Sequence, residues 1–171
     1  MLRRFAFLLL LSTITVAPLQ AQTSSSASSL PSKFAPLEYL VGHCWRGTFA
    51  GSSTTDEHCF EWVFDQKFVR DRHVVRGGDP YGGETIYFWD VTANRIGFSY
   101  WNTVGQMMKG YVASVQGDTL GFVTSVASAK ATTEIRSTWT RDGSTSYRVR
   151  SLERSGDAWK ESFALDMKRV K

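Results

Sequence analysis

From about residue 41 to the end, apolar and polar residues alternate in short runs separated by turn-forming residues. The runs are rich in Val, Ile, Thr, Tyr, Phe and Trp, the residues that fit a pleated, half-buried surface. They start near residues 41, 56, 67, 84, 95, 107, 119, 132, 144 and 158. Between them stand turn signals such as Asp65-Gln66, Thr92 to Asn94, Gly117-Asp118, Ser128 to Ala131, Asp142-Gly143 and Ser155 to Asp157. No connection is long enough for a parallel crossover, so neighbouring strands should be antiparallel. About ten such strands with one apolar face close most economically into an up-and-down β-barrel, with a two-sheet sandwich as the alternative. The one short helix expected lies at Pro36 to Leu40.

Alternation also assigns faces. Phe60, Trp62 and Phe64 share one side of the second strand. Tyr147 and Val149 oppose Arg148 and Arg150 on the ninth. On the tenth, Trp159, Phe163, Leu165 and Met167 share a side with Glu161, which makes Glu161 a candidate buried carboxylate partnered by Arg148 or Arg150. A ten-strand barrel is wider than side chains alone readily fill. Trp45, Phe60, Trp62, Tyr87 and Trp89 are therefore expected to line a cavity for an apolar or aromatic molecule.

The first forty residues follow a different pattern. Arg3 and Arg4 precede an unbroken apolar run from Phe5 to Leu11, and a small residue follows at Ala21. This reads as a secretory signal peptide over residues 1–21, cleaved near Ala21. Ser12, Thr13 and Thr15 interrupt the run too early for a membrane span. Residues 22–33, in which Thr23 to Ser29 are Ser, Thr and Ala, read as a disordered tether, and residues 34–171 as one β-barrel domain. A periplasmic or secreted location is expected, with no membrane anchor after cleavage. Loss of Arg3 and Arg4 lowers the formal net charge from +4 to +2, which argues against a nucleic-acid partner.

Export gives the two cysteines a meaning, since an oxidising compartment favours pairing. Folding the first hairpin about Gly51-Ser52, as a glycine-first two-residue turn, brings residues whose numbers sum to 103 face to face. That register pairs Cys44 with Cys59.

Folding the second hairpin about Asp65-Gln66 makes facing residues sum to 131, so His58 faces His73 and Phe60 faces Asp71. All three histidines and Asp71 then share the predicted interior. His43, His58 and His73 form a candidate metal set, and Asp71 or His73 a candidate general base. The glycine-flanked segment Gly77 to Gly83 reads as a loop that could cover one barrel end. Nucleophile-elbow, phosphate-loop and zinc-protease motifs are absent from the sequence.

The stretch Leu37 to Gly47, L-E-Y-L-V-G-H-C-W-R-G, resembles the opening of lipocalin-like and nitrobindin-like β-barrels. Gly83 to Asn94, with Tyr-Phe-Trp-Asp-Val-Thr-Ala-Asn, resembles a strand and turn of uncharacterised exported bacterial domains. The resemblance implies a closed barrel with a small-ligand pocket. Two residues separate Gly42 from Trp45 where the family has one, and a bulge at His43-Cys44 would absorb the difference. A nitrobindin-type haem site uses a histidine near the C-terminus. This chain has none after His73, so haem is not expected. Binding of a small hydrophobic or aromatic molecule is the leading expectation. An enzyme using Asp71, His58 and His73 comes second, and a protein-interaction module third.

Overall fold

The computed structural model describes residues 32–127 and 132–171. The predicted signal peptide, nearly all of the tether and the turn at Ser128 to Ala131 lie outside the described residues. Ten strands follow in order: β1 (Cys44–Thr48), β2 (Thr55–Val63), β3 (Phe68–Arg76), β4 (Tyr81–Asp90), β5 (Arg95–Asn102), β6 (Met107–Gln116), β7 (Thr119–Ala127), β8 (Thr132–Asp142), β9 (Ser146–Ser155) and β10 (Ala158–Arg169). Each pairs antiparallel with its sequence neighbour, and β1 pairs with β10 to close the barrel. The sandwich alternative is thereby removed. Among the described residues, no helix is long and apolar enough to cross a membrane.

The helix differs from expectation in position and type. It is a 3-10 helix over Ser32–Leu37, with i→i−3 bonds continuing through the turn to Val41. Three residues per turn place Phe34, Leu37 and Leu40 on one face. All three are buried, and they plug one end of the barrel. Trp45 packs above them and donates its indole N–H to the Leu40 carbonyl at 3.2 Å. Phe34 meets the Trp62 ring edge-on at 5.7 Å.

Cys44 and Cys59 are directly opposed and form a disulfide, with Cα atoms 4.1 Å apart. The register holds although the turn differs. Phe49 and Thr54 bound a four-residue connection, and Ser52 N–H donates to the Phe49 carbonyl at 3.1 Å. Gly51 takes the positive φ of 70° one position later than a glycine-first turn requires. No bulge is needed at His43-Cys44. Gly42, at φ 81°, turns the chain ahead of β1, and Val41 bridges Phe60 before the ladder begins.

The second hairpin turns at Asp65-Gln66 as expected, with Phe64, Asp65 and Gln66 all at positive φ. Phe64 is consequently lifted out of the strand and is 72% exposed, instead of sharing the interior face with Phe60. In β10 the register shifts between Glu161 and Phe163. Ser162 is the extra residue, and it reverses the inward-outward order on either side. Phe163, Leu165 and Met167 face inward, whereas Glu161 is exposed and pairs with Arg150 at 2.7 Å. Trp159, outside, lies under the Arg136 guanidinium. The buried-carboxylate assignment for Glu161 is corrected by this bulge.

Candidate functional site

The site is built where β2 and β3 cross the barrel wall. Period-two alternation turns Asp56, His58 and Phe60 inward from β2, and Val69, Asp71 and His73 from β3. The β2–β3 register opposes His58 to His73 and Phe60 to Asp71. The two imidazoles stack with centroids 4.8 Å apart and planes within 17°. His58 Nδ1–H donates to Asp71 at 2.9 Å, and His58 Nε2–H donates to Asp56 Oδ2 at 3.1 Å. The second oxygen of Asp56 accepts from His73 Nδ1 at 3.0 Å.

Beyond His73 the chain of bonds continues toward the barrel rim. His73 Nε2 lies 2.9 Å from the Tyr100 hydroxyl, and that hydroxyl lies 2.9 Å from Tyr81 Oη. Asn102 Nδ2 donates to Tyr81 Oη at 3.2 Å and to Gln106 at 3.0 Å. One arrangement uses each N–H and O–H along this path toward an acceptor. Asn102 donates to Tyr81, Tyr81 to Tyr100, Tyr100 to His73 Nε2, and His73 Nδ1–H to Asp56. His58, between two carboxylates, must donate from both nitrogens and is an imidazolium.

The electrostatics agree with the geometry. Burial opposes the charge on His58, but the Asp71 charge and the hydrogen bonds to Asp56 and Asp71 outweigh it and raise its pKa to about 10. Burial likewise works against ionised Asp56. The hydrogen bonds from His58 and His73 overcome it and hold this carboxyl well below the usual range. Tyr100 is pushed up by burial and by its hydroxyl contact with Tyr81. Both N–H groups of His58 are engaged by carboxylates, and the acceptors of the cluster are the oxygens of Asp56 and Asp71.

This cluster forms one wall of a cavity of about 520 Å³ inside the barrel. The remaining wall is mostly apolar, with Phe98, Phe122, Trp139, Val149 and Leu165 among its members. Glu153 and Phe163 line the cavity and are also exposed, so it reaches solvent at that rim. The opposite end is the one plugged by the 3-10 helix.

His58, His73 and Asp71 are brought together as the hairpin registers required. His43 stands apart, its ring against Trp45 and its Nε2 3.2 Å from Arg169. Of the five aromatic residues expected in the pocket, Tyr87 lines the cavity. Trp45 and Phe60 are buried beneath it, Trp45 edge-on to Tyr147 at 5.2 Å and Phe60 edge-on to Trp139 at 6.0 Å. Trp62 and Trp89 sit at the plugged end, Trp89 under the Lys33 ammonium at 5.3 Å.

Sequence reasoning missed Asp56, Tyr81 and Tyr100. Asp56 was findable: Asp56-Glu57-His58 and Asp71-Arg72-His73 are the same Asp-x-His pattern on facing strands, and i, i+2 residues share a face. Tyr81 was assigned to a loop, but β4 begins there, and its hydroxyl joins the network. Asp56, His58 and His73 could hold a metal ion, since one donor atom from each lies within 4.8 Å of the others. Asp71 behind His58 would then orient that ligand from outside.

No protein-family model matches the chain, and no curated protein does. Among solved structures, the chain is similar to the crystal structure of Rv2717c from M. tuberculosis. The TM-score is 0.61 at 15% identity, over 84% of this chain and 100% of that one. The likeness is one of fold.

Proposed function

We propose that this chain is an exported β-barrel that binds a small apolar or aromatic molecule in its interior. The observation that carries the reading is the cavity of about 520 Å³. It lies within the range of small-molecule sites, is walled mainly by apolar and aromatic side chains, and has polar groups gathered on one side. A packed interior would have favoured an interaction module instead. The lipocalin-like and nitrobindin-like resemblance of Leu37 to Gly47 supports the same reading. The disulfide is compatible with a periplasmic or secreted site of action. The absence of a histidine after His73 supports a ligand other than haem.

The test is binding of hydrophobic probes followed through tryptophan fluorescence, because Trp139 lies on the cavity wall. Saturable quenching at one probe per chain, together with a co-purified small molecule in native mass spectra, is the expected result. Absence of any saturable binding would overturn the proposal.

A second reading is acid–base catalysis. The bonded path from Asp71 through His58, Asp56 and His73 to Tyr100 favours it, since it links buried titratable groups to a hydroxyl on the cavity wall. That reading requires turnover of a bound molecule that is lost in Asp71→Asn while binding persists.

A further inference from the structure

We infer that the molecule this barrel takes up is an organic cation: an aromatic or apolar body carrying a protonated amine or related basic nitrogen. This rests on the binding reading above and narrows it to a charge class. Three observations support it.

The first is the charge inventory of the cavity wall. Asp56, Asp71 and Glu153 contribute carboxyl groups, and among the described residues no lysine or arginine lines the space. In a mature chain whose formal charge is positive, an interior free of lysine and arginine selects against anions and for cations.

The second is how the buried charges are satisfied. The imidazolium of His58 spends both N–H groups on Asp71 and Asp56, so it has no donor left for an anionic ligand. The two carboxylates retain lone pairs beyond those bonds, because each oxygen accepts more than one hydrogen bond. The cluster therefore offers the cavity carboxylate acceptors and no free imidazolium donor from His58. Buried carboxylate oxygens left without a full set of donors are costly, and a bound cation supplies both charge and N–H groups to them.

The third is the remaining wall. Nine of the lining residues are aromatic, among them Tyr87, Phe98, Phe122, Trp139 and Tyr147. Ring faces attract a cation, and the same surfaces accept an aromatic body. The carboxylate cluster on one side and the aromatic surface on the other match the two ends of an aryl-alkyl amine.

The experiment is isothermal titration calorimetry of the full mature chain, prepared without a histidine tag, with three probes of one shape. These are 2-naphthylmethylamine, neutral 2-methylnaphthalene and anionic 2-naphthoate, at pH 7. The amine should bind at least about ten-fold tighter than either of the others. Asp71→Asn should reduce that preference to about two-fold or less. The wild-type series decides the matter even where this variant fails to fold. Equal binding of all three probes, or tightest binding of the naphthoate, overturns the cation inference and leaves the pocket reading standing. Failure of all three to bind overturns both. Zinc chloride provides a further arm: tight stoichiometric zinc binding without amine binding would make the cluster a metal site and overturn the inference.

Discussion

At the scale of single residues, the molecule concentrates its unusual chemistry in two Asp-x-His pairs. Each aspartate reaches diagonally to the histidine of the other strand, so the pairs lock β2 to β3 from inside. The pH dependence of stability follows from their direction of titration. His58 is held near pKa 10 when folded against 6.5 when free, so its stabilisation is complete below about 6.5 and is lost as pH rises toward 10. Asp56 is depressed below its ordinary 3.8, so its contribution is present above that value and lost as pH falls further. Denaturant melts should therefore show highest stability between about pH 4 and 6.5. Above that they should lose up to about 1.4 kcal/mol per pH unit from His58. Asp71→Asn should flatten the alkaline limb, and the His58 imidazole NMR resonances should then titrate at lower pH. A folded-state His58 that titrates near 6.5 in the native chain would contradict the arrangement. Gly83 supports the same network from β4. A Cβ there would meet the backbone carbonyl oxygen of Trp101 first, then the Tyr100 ring, its nearest ring carbon at 2.5 Å, and its hydroxyl at 2.7 Å. Gly83→Ala should displace Tyr100 from His73 and cost about 1–3 kcal/mol, measured by chemical denaturation alongside the Tyr100 hydroxyl or His73 ring signals.

At the scale of elements, the strands and their registers were legible because alternation and turn residues specify them together. All ten strands begin within three residues of the positions read from the pattern, β1 three residues late at Cys44 and β4 three early at Tyr81. The sums that paired Cys44 with Cys59 and His58 with His73 survive in the ladders. What was not legible has a common cause: a residue that breaks the period without announcing itself. Ser162 looks like any polar strand position, yet as a bulge it reverses Glu161 and Trp159 to the outside. Phe64 looks like the next inward residue after Trp62, yet the left-handed turn claims it. Tyr100 is two ladders away from His73, where register must be carried across β4 before the contact can be seen. The disulfide tests the element scale directly. Cys44→Ser with Cys59→Ser removes a loop-closing link of fifteen residues' separation, and stability should fall by about 3 kcal/mol with the barrel topology kept. A melt insensitive to reductant would show that the pair does not form in the purified chain.

At the scale of the whole molecule, the barrel divides its interior between support and vacancy. The 3-10 helix with Trp45, Phe60, Tyr147 and Met167 fills one end densely, and the cavity takes up the other. Such a division costs stability, because every apolar wall facing the cavity forgoes contacts that a packed core would make. A protein with only a structural or surface-docking role would gain by filling the space, so filling it separates binding from folding. Thr124 lies on the cavity wall and is only partly buried. Thr124→Phe would place a ring in the cavity with little displacement of the existing core. Its unfolding free energy should stay within about 1 kcal/mol of the parent, or rise, because new apolar contacts offset the lost threonine contacts. Affinity for the hydrophobic or cationic probe should fall by about ten-fold or more, since ring and ligand compete for one volume. If the filled variant binds as tightly as the parent, ligand is held elsewhere on the chain. If it instead unfolds while the parent is stable, the cavity wall is too tightly set to accept a ring, and its capacity is smaller than 520 Å³ implies.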